Sequence, residues 1–156
     1  MSHFSQLPEF EKEFSKLSKR YRSLSEDIKI FESFIAENPT GLGKNFTIIH
    51  SADNIKIVKV RMMCKSLKNR SIRVIYCSHN DRVTFVHIEI YFKGDKENED
   101  RERIKEYLKN DKALNKINTD KIIVFCDNLF IGTFKKSEKE NNIAIAHPEY
   151  VLQPIK

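Results

Sequence analysis

Apolar side chains near the N-terminus recur at steps of three and four: Phe4, Leu7, Phe10, Phe14, Leu17 and Tyr21. That spacing draws one apolar stripe along a helix, and Pro8 suits its first turn, where a missing N–H costs nothing. A second stripe, Leu24, Ile28, Phe31, Phe34 and Ile35, follows Ser23. Glu26, three residues after Ser23, predicts a capping box, and Asn38-Pro39 with Gly41 ends the helix. The two stripes predict a helical hairpin lying on a sheet.

Beyond Gly43 the period shortens to two. Strands are expected over 45–50, 55–64, 72–78 and 82–93, with turns at Asp53-Asn54 and Asn80-Asp81. In the second of these, Val58, Val60 and Met62 share one face, and Lys59 and Arg61 share the other. In 82–93, strict alternation sends Val86, Ile88, Ile90 and Phe92 toward the helices. His87, Glu89, Tyr91 and Lys93 then point the opposite way. A helix is expected over 100–110, strands over 121–126, 130–134 and 143–146, and a charged loop over 135–142.

This order predicts an α+β fold: an N-terminal helical hairpin packed on a twisted antiparallel β-sheet, with a C-terminal β extension. Residues 1–110 make the main domain. Residues 111–156 are expected to pack on it, because Ile122, Val124, Phe125, Phe130 and Ile131 read as core-facing.

Composition narrows the class. Of 156 residues 40% are hydrophobic and 11 are Phe, which argues against disorder. The sequence lacks the run of about 18 apolar residues that a membrane span needs. Its start, MSHFSQLPEFEKEF, is polar and acidic, unlike a secretion signal. Cys64, Cys77 and Cys126 are odd in number and show no CxxC spacing, so free buried thiols are expected rather than disulfides or zinc. A cytoplasmic protein with no metal and no cofactor is the expectation.

The net charge of +6 favours a polyanionic or acidic partner, and its location sharpens the picture. Lys59, Arg61, Lys65, Lys68, Arg70 and Arg73 follow one another without an intervening acid. If the central strands are adjacent and antiparallel, Lys59, Arg61, Arg73, Tyr91 and Lys93 converge on one open face. A solvated sheet face ordinarily mixes signs, because like charges opposite one another destabilise a sheet. A largely cationic one suggests an anion belongs there.

Five segments in order carry a resemblance: FEKEFSKLSKRYRSLSEDI (10–28), NPTGLG (38–43), VKVRM (58–62), RVIYC (73–77) and IYFKGDKEN (90–98). Together they resemble the RelE/ParE superfamily of bacterial toxins, in particular its RelE-like mRNA interferases, over roughly residues 8–110. The resemblance implies a ribosome-dependent endoribonuclease that cleaves mRNA and is held inert by a cognate antitoxin protein. The alternative is a non-catalytic binding protein on the same fold, a topoisomerase poison or an inactive toxin relic.

Metal-free RNA cleavage needs a base for the 2′-OH, cations for the phosphorane and an acid for the departing 5′-oxygen. Lys59, two residues from Arg61, is expected to be the base through a depressed pKa. Arg61 and Arg73 suit the phosphate. Lys93 is the candidate acid or second clamp, Tyr91 a base-stacking or proton-holding group, and His87 the alternative acid or base. Lys65, Lys68 and Arg70 are expected to hold RNA backbone.

Overall fold

The computed structural model describes residues 1–68, 70–119, 121–126, 129–135 and 151–154, with side chains described for 1–68 and 70–112. The chain divides into two units, Met1–Arg101 and Glu102–Lys156. The boundary expected at residue 110 falls inside a helix.

In the first unit the order is β1 (His3–Gln6), α1 (Pro8–Arg20), α2 (Leu24–Glu37), β2 (Phe46–Ser51), β3 (Ile55–Met63), a short 3-10 turn (Lys65–Leu67), β4 (Ser71–His79) and β5 (Thr84–Phe92). Its sheet runs β1-β5-β4-β3-β2. The β2-β3, β3-β4 and β4-β5 pairs are antiparallel, but β1 lies parallel to β5, so the sheet is mixed rather than antiparallel. Phe4, expected on the first helical stripe, belongs to β1. Pro8 at the start of α1 breaks the stripe, since a helix tolerates proline only in its first turn.

Both helices bury most of their predicted stripes, though Phe34 of α2 is exposed and Phe14 of α1 only half-buried. Phe10 and Leu17 of α1 and Leu24, Ile28, Phe31 and Ile35 of α2 join Val58, Val60, Met62, Ile72, Val74, Tyr76, Phe85 and Ile90 in one core. Burying a side chain of this kind contributes about 1.5–3 kcal/mol. Charge supports the helix ends: Glu9 and Glu11 open α1, Lys19 and Arg20 close it, and Glu26 and Asp27 open α2. The expected capping box does not form. The Ser23 hydroxyl donates instead to Asp27 at 2.7 Å, and Ser66 donates its N–H to Ser23 at 2.9 Å. A tertiary partner has displaced the local cap.

The β4-β5 turn is held by Asp81, whose carboxylate accepts from the Val83 and Thr84 N–H groups and the Thr84 hydroxyl. These bonds hold Arg82 at φ 58°, a conformation uncommon outside glycine. Cys64 and Cys77 are buried thiols, neither joined in a disulfide.

In the second unit α3 spans Arg101–Thr119, nine residues beyond the expected end. Strands β6 (Lys121–Cys126), β7 (Leu129–Lys135) and β8 (Val151–Pro154) make an antiparallel sheet ordered β7-β6-β8. β8 was not anticipated. The strand expected at 143–146, most of the charged loop and the core-facing side chains of 122–131 lie outside the described residues. Among the described residues no helix is long and apolar enough to cross a membrane.

Candidate anion-binding face

Register places the candidate residues in two adjacent rows on the sheet face away from α1 and α2. Arg61 of β3 stands opposite Arg73 of β4, which stands opposite Tyr91 of β5. Two residues along, Lys59 stands opposite Ile75, which stands opposite Glu89. Strands sit about 4.8 Å apart, so each row spans roughly 10 Å, close to the footprint of a nucleotide phosphate and its sugar.

His87 is not on this face. The ladder pairs Ile75 with Glu89 but Tyr76 with His87, so Ile88 is a bulged extra residue. One inserted residue reverses the alternation, and everything before it in β5 changes side. His87 therefore points into the core, 2% exposed, with its ring 4.9 Å from Phe10 and 6.0 Å from Phe4. Its Nε2 lies 2.9 Å from Glu32 of α2, and its Nδ1 is buried without a hydrogen-bond partner. The expected acid–base role does not fit this position. An imidazole in a stack of phenyl rings is structural.

Lys59 also departs from expectation. Its ammonium donates to Glu99. Burial pulls its pKa down, but the hydrogen bond it donates to Glu99 and the charges around it outweigh burial, and the net shift is upward. Lys59 is thus held in its charged form, which is the wrong form for a general base. Glu99 is only 10% exposed. Burial disfavours its charge, yet the bonds with Lys59 and the backbone leave its pKa below the usual value.

The face is less open than the sequence suggests. Arg73 is 9% exposed and Tyr91 5%. Burial, and then the charge of Arg61, lower the Arg73 pKa, although a guanidinium stays protonated at any physiological pH. Its Nη1 donates to the Ser71 hydroxyl. Among the described residues neither Arg61 nor Arg73 has a carboxylate partner. Tyr91 is kept neutral chiefly by burial, and its hydroxyl is buried without a partner. Lys96 lies 5.6 Å above its ring, so the expected stacking of a nucleobase on that side is blocked.

Glu89 lies on this face, as the alternation of β5 predicts, but it is not the solvated acid that a surface strand would carry. It is fully buried and accepts from the Lys96 ammonium and, at 2.8 Å, from the Asp100 N–H. The only signal in the sequence was a lone acid among cations on one strand. Of the cations expected on this face, Lys59 is neutralised, by Glu99, while Glu89 takes Lys96, which the sequence did not place there.

Arg73, unlike its cross-strand neighbour Arg61, borders a pocket of about 420 Å³ lined also by Arg70, Ser71, Phe92, Lys93 and Gly94. Arg70 stacks over Phe92 with its guanidinium carbon 5.9 Å from the ring centroid. Lys93, exposed, follows the last residue of β5. Lys65 and Lys68 lie on the neighbouring turn, exposed. That turn is fastened by Asp27, which accepts the Lys65 N–H at 3.1 Å. Three cations converging on one concavity can bind a phosphate and stabilise added negative charge on it. Among the described residues no cluster of His, Cys, Asp and Glu is arranged to hold a metal ion.

No protein-family model matches the chain, and no curated protein matches it.

Proposed function

We propose that the chain is a RelE/ParE-type toxin, a ribosome-dependent endoribonuclease that cleaves mRNA without a metal and is neutralised in the cytoplasm by a cognate antitoxin. In this reading the toxin domain is the helical hairpin on its sheet, and the β-rich C-terminal segment is an extension of it.

One observation carries the reading. Arg61 and Arg73 are paired directly across two strands with no acid to separate them, beside a pocket that also takes Arg70 and Lys93. Like charges opposite one another cost stability, so the arrangement is explained by an anion that binds there. Arg73 and Arg70 hold the scissile phosphate and stabilise the phosphorane. Lys93 donates the proton to the departing 5′-oxygen. Lys59 can take the 2′-OH proton only after it has parted from Glu99 and given up its own proton.

That last condition favours the second reading, a non-catalytic anion-binding protein of the same fold. With Lys59 charged and paired, the face binds phosphate without a ready base. Expression of the chain alone, followed by primer extension on mRNA in a translating extract, separates the two. Growth arrest with new 5′ ends is the expected result. A folded, soluble protein that leaves mRNA intact overturns the nuclease and leaves the binding protein.

A further inference from the structure

The residues from Lys93 to Asp100 are tied to the candidate face by two ion pairs, Lys96 with Glu89 and Lys59 with Glu99, and to the end of α1 by Arg20 with Asp95. The Asp95 and Lys96 N–H groups donate to the Phe92 carbonyl at 2.9 and 3.1 Å, and the Asp100 N–H to Glu89. Buried Glu89 thus holds the backbone just after Glu99, at Asp100, and the side chain of Lys96 before it.

Glu99 itself is less constrained. One carboxylate oxygen takes the Lys59 ammonium, and the other faces Arg101 at 3.9 Å. Arg101 is 81% exposed, so a rotation of the Glu99 side chain has a solvated cation to receive it. The buried Tyr91 hydroxyl lies within reach of the Lys59 ammonium and has no acceptor for its own proton. An anion with several oxygens can accept from both Lys59 and Tyr91, whereas the carboxylate accepts only from Lys59.

We propose that Glu99 occupies, in the free protein, the place a substrate phosphate takes on Lys59, so that its side chain is a carboxylate latch that an RNA phosphate displaces toward Arg101. The inference rests on the RNA-binding reading and adds to it: the face is self-blocked, and Glu89 is the residue that positions the block.

The test is fluorescence anisotropy of a labelled single-stranded RNA with the wild-type chain and Glu99→Gln, across a range of salt. Gln keeps the side-chain length and removes the competing charge. Glu99→Gln should bind about tenfold more tightly, and its log-affinity against log-salt slope should steepen by up to about 0.7, the contribution of one further phosphate contact on a single strand. Wild-type binding with an equal or weaker Glu99→Gln variant overturns the latch while leaving RNA binding intact. No binding by either folded protein overturns RNA binding and the latch with it. If Glu99→Gln does not fold, the 13C carboxyl resonance of Glu99 is followed in the wild type as RNA is added. It should move to a solvent-exposed position, and a resonance that stays put while RNA binds overturns the proposal.

Discussion

Arg61 and Arg73 face each other directly across β3 and β4, one exposed and one 9% exposed, with only the Ser71 hydroxyl donated to between them. A cross-strand pair of like charge costs a few tenths of a kcal/mol to about 1 kcal/mol. Arg61→Ala should therefore raise the midpoint of urea denaturation slightly and, at the same time, lower RNA cleavage. An arginine that served only the fold would destabilise on removal.

Arg73→Ala should reduce cleavage about a hundredfold or more, because lost stabilisation of a phosphorane costs about 3 kcal/mol. Arg73→Lys should not restore it, since an ammonium cannot reproduce the planar two-point contact of a guanidinium. Primer extension on mRNA measures the rate and circular dichroism the fold. A folded Arg73→Ala variant that cuts normally would remove this face as the active site.

His87 should matter to stability and not to chemistry. His87→Ala leaves a cavity among Phe4, Phe10 and Phe31 and should cost about 3 kcal/mol. His87→Phe fills the stack and removes the orphaned Nδ1, so its stability should match or exceed wild type with cleavage unchanged. Loss of cleavage in a stable His87→Phe protein would return the histidine to the mechanism.

The Lys59–Glu99 pair predicts a pH window. Glu99 titrates below its ordinary value of 4.5, so its contribution is present above that pH and is lost as pH falls through the folded value. Lys59 titrates above its ordinary value of 10.5, so its contribution is present below that pH and is lost as pH rises through the folded value. Stability from this pair should be flat between those limits. Thermal melts of wild type and Glu99→Gln should converge in acid and separate by about 1 kcal/mol or less near neutrality, since the pair is partly exposed.

Asp27 ties the basic turn to α2. It is 5% exposed and accepts from the Ser23 hydroxyl and the Lys65 N–H. Asp27→Ala orphans both donors and should cost about 1–3 kcal/mol. Amide exchange at Lys65 and Ser66 should speed up, and RNA affinity should drop because Arg70 loses its fixed setting. Unchanged exchange at Lys65 would show that the turn is held by other means.

Much of the molecule is legible in local pattern. The stripes of α1 and α2, the alternation of β3 and the acid-free run from Lys59 to Arg73 are properties of neighbouring residues, and the helix and strand periods express them directly. The adjacency of β3, β4 and β5 was a condition of the sequence argument, and the strand ladder meets it.

Three features came only with the tertiary structure. The bulge at Ile88 leaves no mark on the sequence, because every residue of β5 fits a strand on either face, yet it moves His87 from the anion face into the core. The Lys59–Glu99 contact joins residues 40 apart, and the His87–Glu32 contact residues 55 apart. The β1 strand exists because a parallel partner was waiting at β5, not because His3–Gln6 has the pattern of a strand. A sequence lists which charges are present. Which of them neutralise each other depends on distances that only the folded chain sets, and here that decided which cations remain free to meet a phosphate.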